Sequence, residues 1–167
     1  MTSAMPNKTK AVFDSSPLVF LDALGYTDHI ENLHEAFIPP DVTAELTLYP
    51  ERSGAGAPAL PWITERSPSP TNLQRVKREL AAGAGEQAAI ALALDLSALV
   101  VTDDAKARRY VSKLGMRLTG TLGILVRLHL LGWATRTIDE DLGVLEQNNM
   151  HMSEELRDQI ISKINKR

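Results

Sequence analysis

Apolar residues along this chain fall into short runs separated by stretches of helical periodicity. Ala11-Val12-Phe13 is the first run; Asp14-Ser15-Ser16-Pro17 interrupts it, and an apolar helical stretch continues to Leu24. Pro17 suits the first helical position, Ser16 the cap before it and Gly25 the stop. Ala36-Phe37-Ile38 reads as a second strand, ended by Pro39-Pro40 and followed by a helix from about Asp41 to Tyr49. Leu99-Val100-Val101-Thr102 is the strongest strand signal, an unbroken apolar run of the kind a fully covered parallel strand carries. Met116 to Thr119 is a fourth candidate. Helices are predicted over Ser69–Ala82 (cap Ser69, first-turn Pro70, stop Gly83), Glu86–Leu96, Ala105–Leu114 and Thr121–Leu131. Two polar helices, about Thr137–Glu146 and Ser153–Lys166, finish the chain, and Gly54–Pro61 reads as a loop. Strands alternating with helices of this length predict an α/β fold with a parallel sheet covered on both faces.

Composition narrows the picture. A length of 167 residues, 44% hydrophobic and 23% charged, is that of one compact globular domain. With no cysteine, a disulfide framework, a thiolate zinc site and a cysteine nucleophile are excluded. No apolar run approaches the roughly 20 residues that span a bilayer, and Met1–Lys10 lacks the apolar stretch of a signal peptide. The expectation is therefore a cytoplasmic protein without membrane contact. A net charge of −3 does not advertise a polyanion binder, but its distribution does. Between Ala105 and Ile138 stand Lys106, Arg108, Arg109, Lys113, Arg117, Arg127 and Arg136, with no Asp or Glu among them.

Several carboxylates occupy positions that invite explanation. Asp14 ends the first strand, and with Ser16 as the expected cap it is left without a capping role. In open parallel sheets, ligands bind beyond the carboxyl ends of the strands, where Asp14 must lie. Glu45 falls three residues after Val42 and four before Tyr49, on the apolar stripe of its helix. Glu86 opens a helix that is apolar almost all round and sits in its first turn, where the helix dipole also favours it. Asp103 and Asp104 follow the strongest strand; one caps the helix from Ala105, and Asp103 is the one favoured for chemistry. Two carboxylates about 4 Å apart repel by roughly 4 kcal/mol at an effective dielectric of 20. A cluster of them persists only if a cation neutralises it or protons are shared. Oxygen ligands without cysteine or a nearby histidine pair select Mg²⁺ or Mn²⁺, the ions that serve phosphodiester hydrolysis. His29, His34, His129 and His151 are scattered and none is assigned to catalysis; Trp62 and Trp133 read as packing anchors.

In their order and spacing, these segments resemble a PIN-domain ribonuclease, in a PIN-like subfamily related to the VapC toxins of toxin–antitoxin pairs. The resemblance rests on Val12-Phe13-Asp14-Ser15-Ser16-Pro17-Leu18, Ile38-Pro39 with Val42 and Glu45, and Gly85-Glu86-Gln87-Ala88-Ala89-Ile90. It continues through Thr102-Asp103-Asp104 with Ala107-Arg108, and Thr119-Gly120-Thr121-Leu122-Gly123, covering roughly positions 11 to 132. It implies a three-layer α/β/α sandwich around a parallel sheet, in a single domain over 1–167 with a C-terminal helical extension over about 137–167. It further implies that Asp14, Glu45, Glu86 and Asp103 or Asp104 serve catalysis, with Mg²⁺ or Mn²⁺ held by Asp14, Glu86, Asp103 and Asp104. Glu45 lies where such families vary. Ser15, Thr119 and Thr121 are the auxiliary polar groups it implies; ending a strand and capping a helix are the alternative roles of the two threonines. Lys106, Arg108 and Arg109 are placed to meet RNA phosphates, with a solvated helix face as the alternative and, for Arg108, a structural counter-ion. The implied activity is a metal-dependent endoribonuclease, with a homodimer and a protein antitoxin as partners. A PIN-fold binding module without turnover is the alternative. A haloacid-dehalogenase-type phosphatase wants a second Asp two residues after the first, and position 16 is Ser.

Overall fold

A computed structural model describes residues 8–48 and 60–166. The elements run β1 (Thr9–Phe13), α1 (Ser15–Leu24), a 3-10 turn (Thr27–His29), α2 (Ile30–Leu33), β2 (His34–Ile38) and α3 (Pro40–Leu48). There follow β3 (Ile63–Glu65), α4 (Pro70–Glu79), α5 (Ala84–Leu96), β4 (Leu99–Val101), α6 (Ala105–Lys113), β5 (Leu118–Thr119) and α7 (Thr121–Leu130). Two helices close the chain, α8 (Ile138–Gln147) and α9 (Glu154–Asn165).

Among the described residues the strands form a five-stranded, wholly parallel sheet in the order β3-β2-β1-β4-β5. The pleat sends alternate side chains to opposite faces. Ala11, Phe13, Ala36, Ile38 and Val101 enter one core with α1, α2, α3, α7, α8 and α9. Val12, Phe37 and Val100 enter the other with α4, α5 and α6. The result is the three-layer α/β/α sandwich that the alternation predicts. The chain winds outward from β1 in one direction and returns through β4 in the other, so the β1–β4 junction is the switch point of the sheet, whose carboxyl edge is where open parallel sheets bind ligands. The amide of Asp14 bonds the Val101 carbonyl at 2.9 Å and seals that junction.

Most elements lie where the pattern puts them, and the differences have physical causes. Asp14, not Ser16, caps α1: its side chain accepts from the Ser15 amide, and Pro17 stands within the first turn, where its missing N–H has no helical partner to lose. Gly25 stops the helix with φ of 77°. Ser69 caps α4 with Pro70 at its first position, but α4 ends before Leu80 and Gly83 caps α5 instead of stopping α4. Strand β3 was not expected, because three residues beside Trp62 carry too little pattern. The closing helices are amphipathic rather than polar, sending Ile138, Leu142, Leu145 and Ile160 into the core. The expected end of α3 at Tyr49 and most of the Gly54–Pro61 loop lie outside the described residues.

Asp141, on α8, is fully buried. It accepts from Tyr26 Oη at 2.8 Å and Arg136 Nε at 2.8 Å, and its Oδ2 lies 2.7 Å from His129 Nε2. Arg136 also donates to the Leu24 carbonyl at 2.5 Å and lies over the Tyr26 ring. Trp133 stacks at a tilt on His29, in keeping with an anchoring role. This network clamps α8 and the end of α7 to the far end of α1 from Asp14. Among the described residues no helix is long and apolar enough to cross a membrane.

Candidate functional site

At the carboxyl edge of the sheet, four segments distant in sequence present carboxylates to one another. Asp14 follows β1 and is only 3% exposed. Its Oδ1 accepts from the Ser15 amide at 2.8 Å and its Oδ2 from the Thr102 hydroxyl at 3.2 Å. Burial pushes its carboxyl up from 3.8 to about 7, and the charges of Glu86 and Glu45 push the same way against those two hydrogen bonds.

Glu45 reaches the same place from α3. Its Oε2 accepts from the Ser15 hydroxyl at 2.7 Å. Its carboxylate lies against Gly85, where a Cβ would come within 2.7 Å of Glu45 Cδ. Glycine at the second position of α5 is thus the space into which Glu45 fits. Glu86, one residue on, turns back over the α5 cap so that a Cβ on Gly83 would collide with its Oε2. Burial raises its pKa, opposed by its own amide and that of Gly83, while Asp104 and Glu45 raise it further. The helix-terminus role and the acidic cluster therefore coexist in Glu86.

The two aspartates after β4 separate. Asp104 caps α6, accepting from the Ala107 amide at 2.8 Å, yet its charge is felt by Glu86. Asp103, the one favoured from sequence, turns the other way. Its Oδ1 accepts from the Thr121 amide at 2.8 Å and its Oδ2 from the Thr121 hydroxyl at 2.6 Å. A second carboxylate does have a local purpose here: Asp103 satisfies the first free amide of α7 from outside the helix. Thr121 is consequently not a cap but the first residue of α7, with Gly120 at the cap position. Thr119 ends β5, and its hydroxyl lies where a Cβ on Gly123 would be.

The three cations after the acidic pair differ. Lys106 Nζ donates to the Ala81 carbonyl at 2.8 Å, Arg108 Nη1 to the Thr102 carbonyl at 2.8 Å, and Arg109 is exposed. His34 is buried away from this edge at the start of β2, where burial and Arg127 lower its pKa to about 4. The space that Gly85, Gly120 and Gly123 leave for neighbouring side chains is not part of the sequence reading; the available signal was a glycine next to a motif acid or hydroxyl (Gly85 before Glu86, Gly120 between Thr119 and Thr121) or one helical turn after it (Gly123, four after Thr119).

The charges of Asp14, Glu45, Glu86 and Asp104 act on one another across this pit. Among the described residues no three His, Asp or Glu side chains stand close enough to hold an ion together. Glu45 is engaged by Ser15 and Glu86 by the α5 cap. In chemistry the donor set fits a hard divalent cation: it consists of carboxylate oxygens, and a carboxyl raised to about 7 by burial, with its acidic neighbours adding to the rise, is a group that a cation would return to its ionised form. Residues 10–166 match the profile of a sequence family described as a PIN domain. No curated protein matches the chain.

Proposed function

The chain belongs to the PIN-domain family, a nuclease-type fold that typically uses divalent metal ions, and from this premise we propose that it is a Mg²⁺- or Mn²⁺-dependent endoribonuclease. The observation that carries the reading is the meeting of four acidic segments at the β1–β4 switch point, with Asp14 pushed to about 7. Asp14, Glu86, Asp103 and Asp104 are the residues that would hold the ion, with Glu45 beside them; no three of these side chains stand together as the structure has them, so they would have to draw inward to share it. A bound divalent ion supplies an activated water and offsets charge on the scissile phosphate.

The chain's own groups do the rest. Ser15 holds Glu45 in place, and the Thr102 hydroxyl orients Asp14. Thr121 fixes Asp103, while the Thr119 hydroxyl adds a polar group at the start of α7. Lys106, Arg108 and Arg109 on α6 begin directly after the pit and would meet the phosphates on either side of the cleaved bond. All of this lies in one PIN-like domain over 1–167, with a core of about 11–132 and the closing helices as its extension. By its resemblance to VapC toxins, the protein would be the toxin of a toxin–antitoxin pair, a cytoplasmic homodimer silenced by a protein antitoxin.

The test is cleavage of total RNA with Mg²⁺ or Mn²⁺, wild type beside Asp14→Asn, with a chelator control. Metal-dependent cleavage by wild type that Asp14→Asn loses supports the reading; wild type that leaves RNA intact with both metals overturns it. One observation favours a PIN-fold binding module without turnover: Glu45 and Glu86 are already engaged within the protein. RNA retention without cleavage would identify that case.

A further inference from the structure

Charge is sorted between the two helical layers. α4 and α6, packed on the same face of the sheet, together carry seven Lys and Arg against a single carboxylate, Glu79, in a chain whose net charge is −3. On the opposite layer, α8 carries Asp139, Glu140, Asp141 and Glu146 and no Lys or Arg. Helix faces that serve only to meet water mix the two signs. α4 and α6 do not.

The two helices meet at Glu79. Its Oε2 accepts from Tyr110 Oη at 2.7 Å and its Oε1 from Arg75 Nε at 3.3 Å. The Tyr110 bond holds the Glu79 carboxyl below its ordinary range, and the charges of Arg75 and Arg78 act the same way, so both arginines stand in the field of this junction. Tyr110 feels the charge of Arg75 as well. Lys106 lies one helical turn before Tyr110 and Lys113 one turn after it, on the same flank of α6. Lys106 Nζ donates to the Ala81 carbonyl at 2.8 Å, just beyond the end of α4. Arg75, Arg78, Lys106 and Lys113 are all exposed. The one carboxylate is therefore engaged inside the seam, whereas Arg78, Lys106 and Lys113 form no ion pair among the described residues.

We propose that the seam between α4 and α6 is a docking surface for an RNA backbone, with Arg75 and Arg78 on one side, Lys106 and Lys113 on the other, and Glu79 tied down between them by Tyr110. The inference rests on the nuclease reading above and deepens it by giving the substrate strand a path away from the carboxyl edge. The order of elements supports that path. α6 begins directly after Asp104, and about 10 Å of helix separates Lys106 from Lys113. α4 ends at the short segment that leads into α5 and Glu86. The cations thus start beside the acidic segments and continue down one layer. Separated point charges on two helices match a chain of phosphates and ask for no base sequence.

The test is the dissociation constant for a fluorescent oligouridine, read by anisotropy on the full chain in chelator over a salt series, so that neither a divalent ion nor cleavage enters the measurement. Arg75→Gln/Arg78→Gln is expected to bind roughly 25-fold more weakly at about 0.1 M salt, each phosphate contact to a single strand contributing a factor of about five there. The slope of log affinity against log salt should fall by about 1.4. Arg75→Lys/Arg78→Lys should restore both. The exposed Arg75–Glu79 pair adds little to stability, so these variants should melt with wild type. Glu79→Gln keeps an acceptor for Tyr110 and lifts the one negative charge. It should tighten binding, by at most about fivefold, the scale of a unit charge about 4 Å away in water. Lys163→Gln/Lys166→Gln removes two charges from the end of α9 on the other layer and should change neither constant nor slope. Wild-type affinity and slope in Arg75→Gln/Arg78→Gln, or an equal loss in the α9 pair, overturns the inference. So does oligouridine binding that survives in Arg75→Gln/Arg78→Gln while a polyglutamate probe is lost, which would assign the seam to an acidic protein segment. Wild type that binds no oligouridine also overturns the inference, whereas the expected binding pattern without metal-dependent cleavage of total RNA overturns the nuclease reading alone.

Discussion

The hydroxyl of Ser15 donates to Oε2 of Glu45 at 2.7 Å, across 30 residues of chain. This bond fastens the first residue of α1 to the middle of α3 and sets the angle at which Glu45 enters the pit. Ser15→Ala leaves the carboxylate packed on Gly85 without that donor. The expected loss is about 1–2 kcal/mol, the usual worth of a hydrogen bond to a charged group that water partly replaces, read from urea unfolding. A change below a few tenths of a kcal/mol would mean that the bond holds nothing in place.

Asp14 gives a stability prediction with a definite sign. Its folded pKa, about 7, lies above the unfolded value of 3.8. Between these values the folded protein holds a proton that the unfolded chain has released, so rising pH removes stability until about pH 7. The shift corresponds to a cost on the order of 4 kcal/mol once Asp14 is fully ionised. Asp14→Asn keeps a capping oxygen for α1 and removes the charge. In chelator it should melt above wild type, by a wider margin at pH 8 than at pH 5. Equal margins at the two pH values would show that Asp14 ionisation is not what separates the proteins.

The same carboxyl links metal uptake to protons. Below about pH 7 an ion must displace the proton on Asp14. Mn²⁺ affinity should therefore fall as pH drops from 8 to 6, approaching but not exceeding tenfold per unit for one proton, and level off above 7. Titrations at three pH values in one buffer series measure this. Affinity that is flat across the range removes Asp14 from the proton exchange.

Asp141 should separate stability from the pit. It is fully buried with Tyr26, His129 and Arg136 as partners, and α1, of 10 residues or about 15 Å, lies between this cluster and Asp14. Asp141→Ala strands buried polar partners, a loss of about 3–5 kcal/mol. The folded fraction should keep the wild-type Mn²⁺ constant. Altered binding at unchanged stability would place Asp141 in the site rather than in the scaffold.

Much of this molecule was legible in advance because burial imposes a period on sequence. The apolar runs at 11–13, 36–38 and 99–101 became neighbouring parallel strands, since a strand covered on both faces has no polar side to display. Ser69 caps α4 as its position predicts, and Thr137 and Ser153, where the two closing helical stretches begin, cap α8 and α9, because a Ser or Thr before a helical stretch satisfies amides locally. Strand β3 was not legible, because three residues fix no period.

Sequence alone determined the α/β alternation, the acidic residues that end strands and open helices, and the basic run that follows them. These depend on neighbours a few residues apart, where periodicity and capping act. Only the tertiary structure decided which acid meets which. Asp103 turns to Thr121 while Asp104 caps α6 and faces Glu86, and Glu45 finds its room against Gly85. Two adjacent aspartates are alike to local rules. They become different only when packing brings a helix terminus to one and an acidic neighbour to the other, because the energies that separate them depend on charge and space contributed by segments far away along the chain.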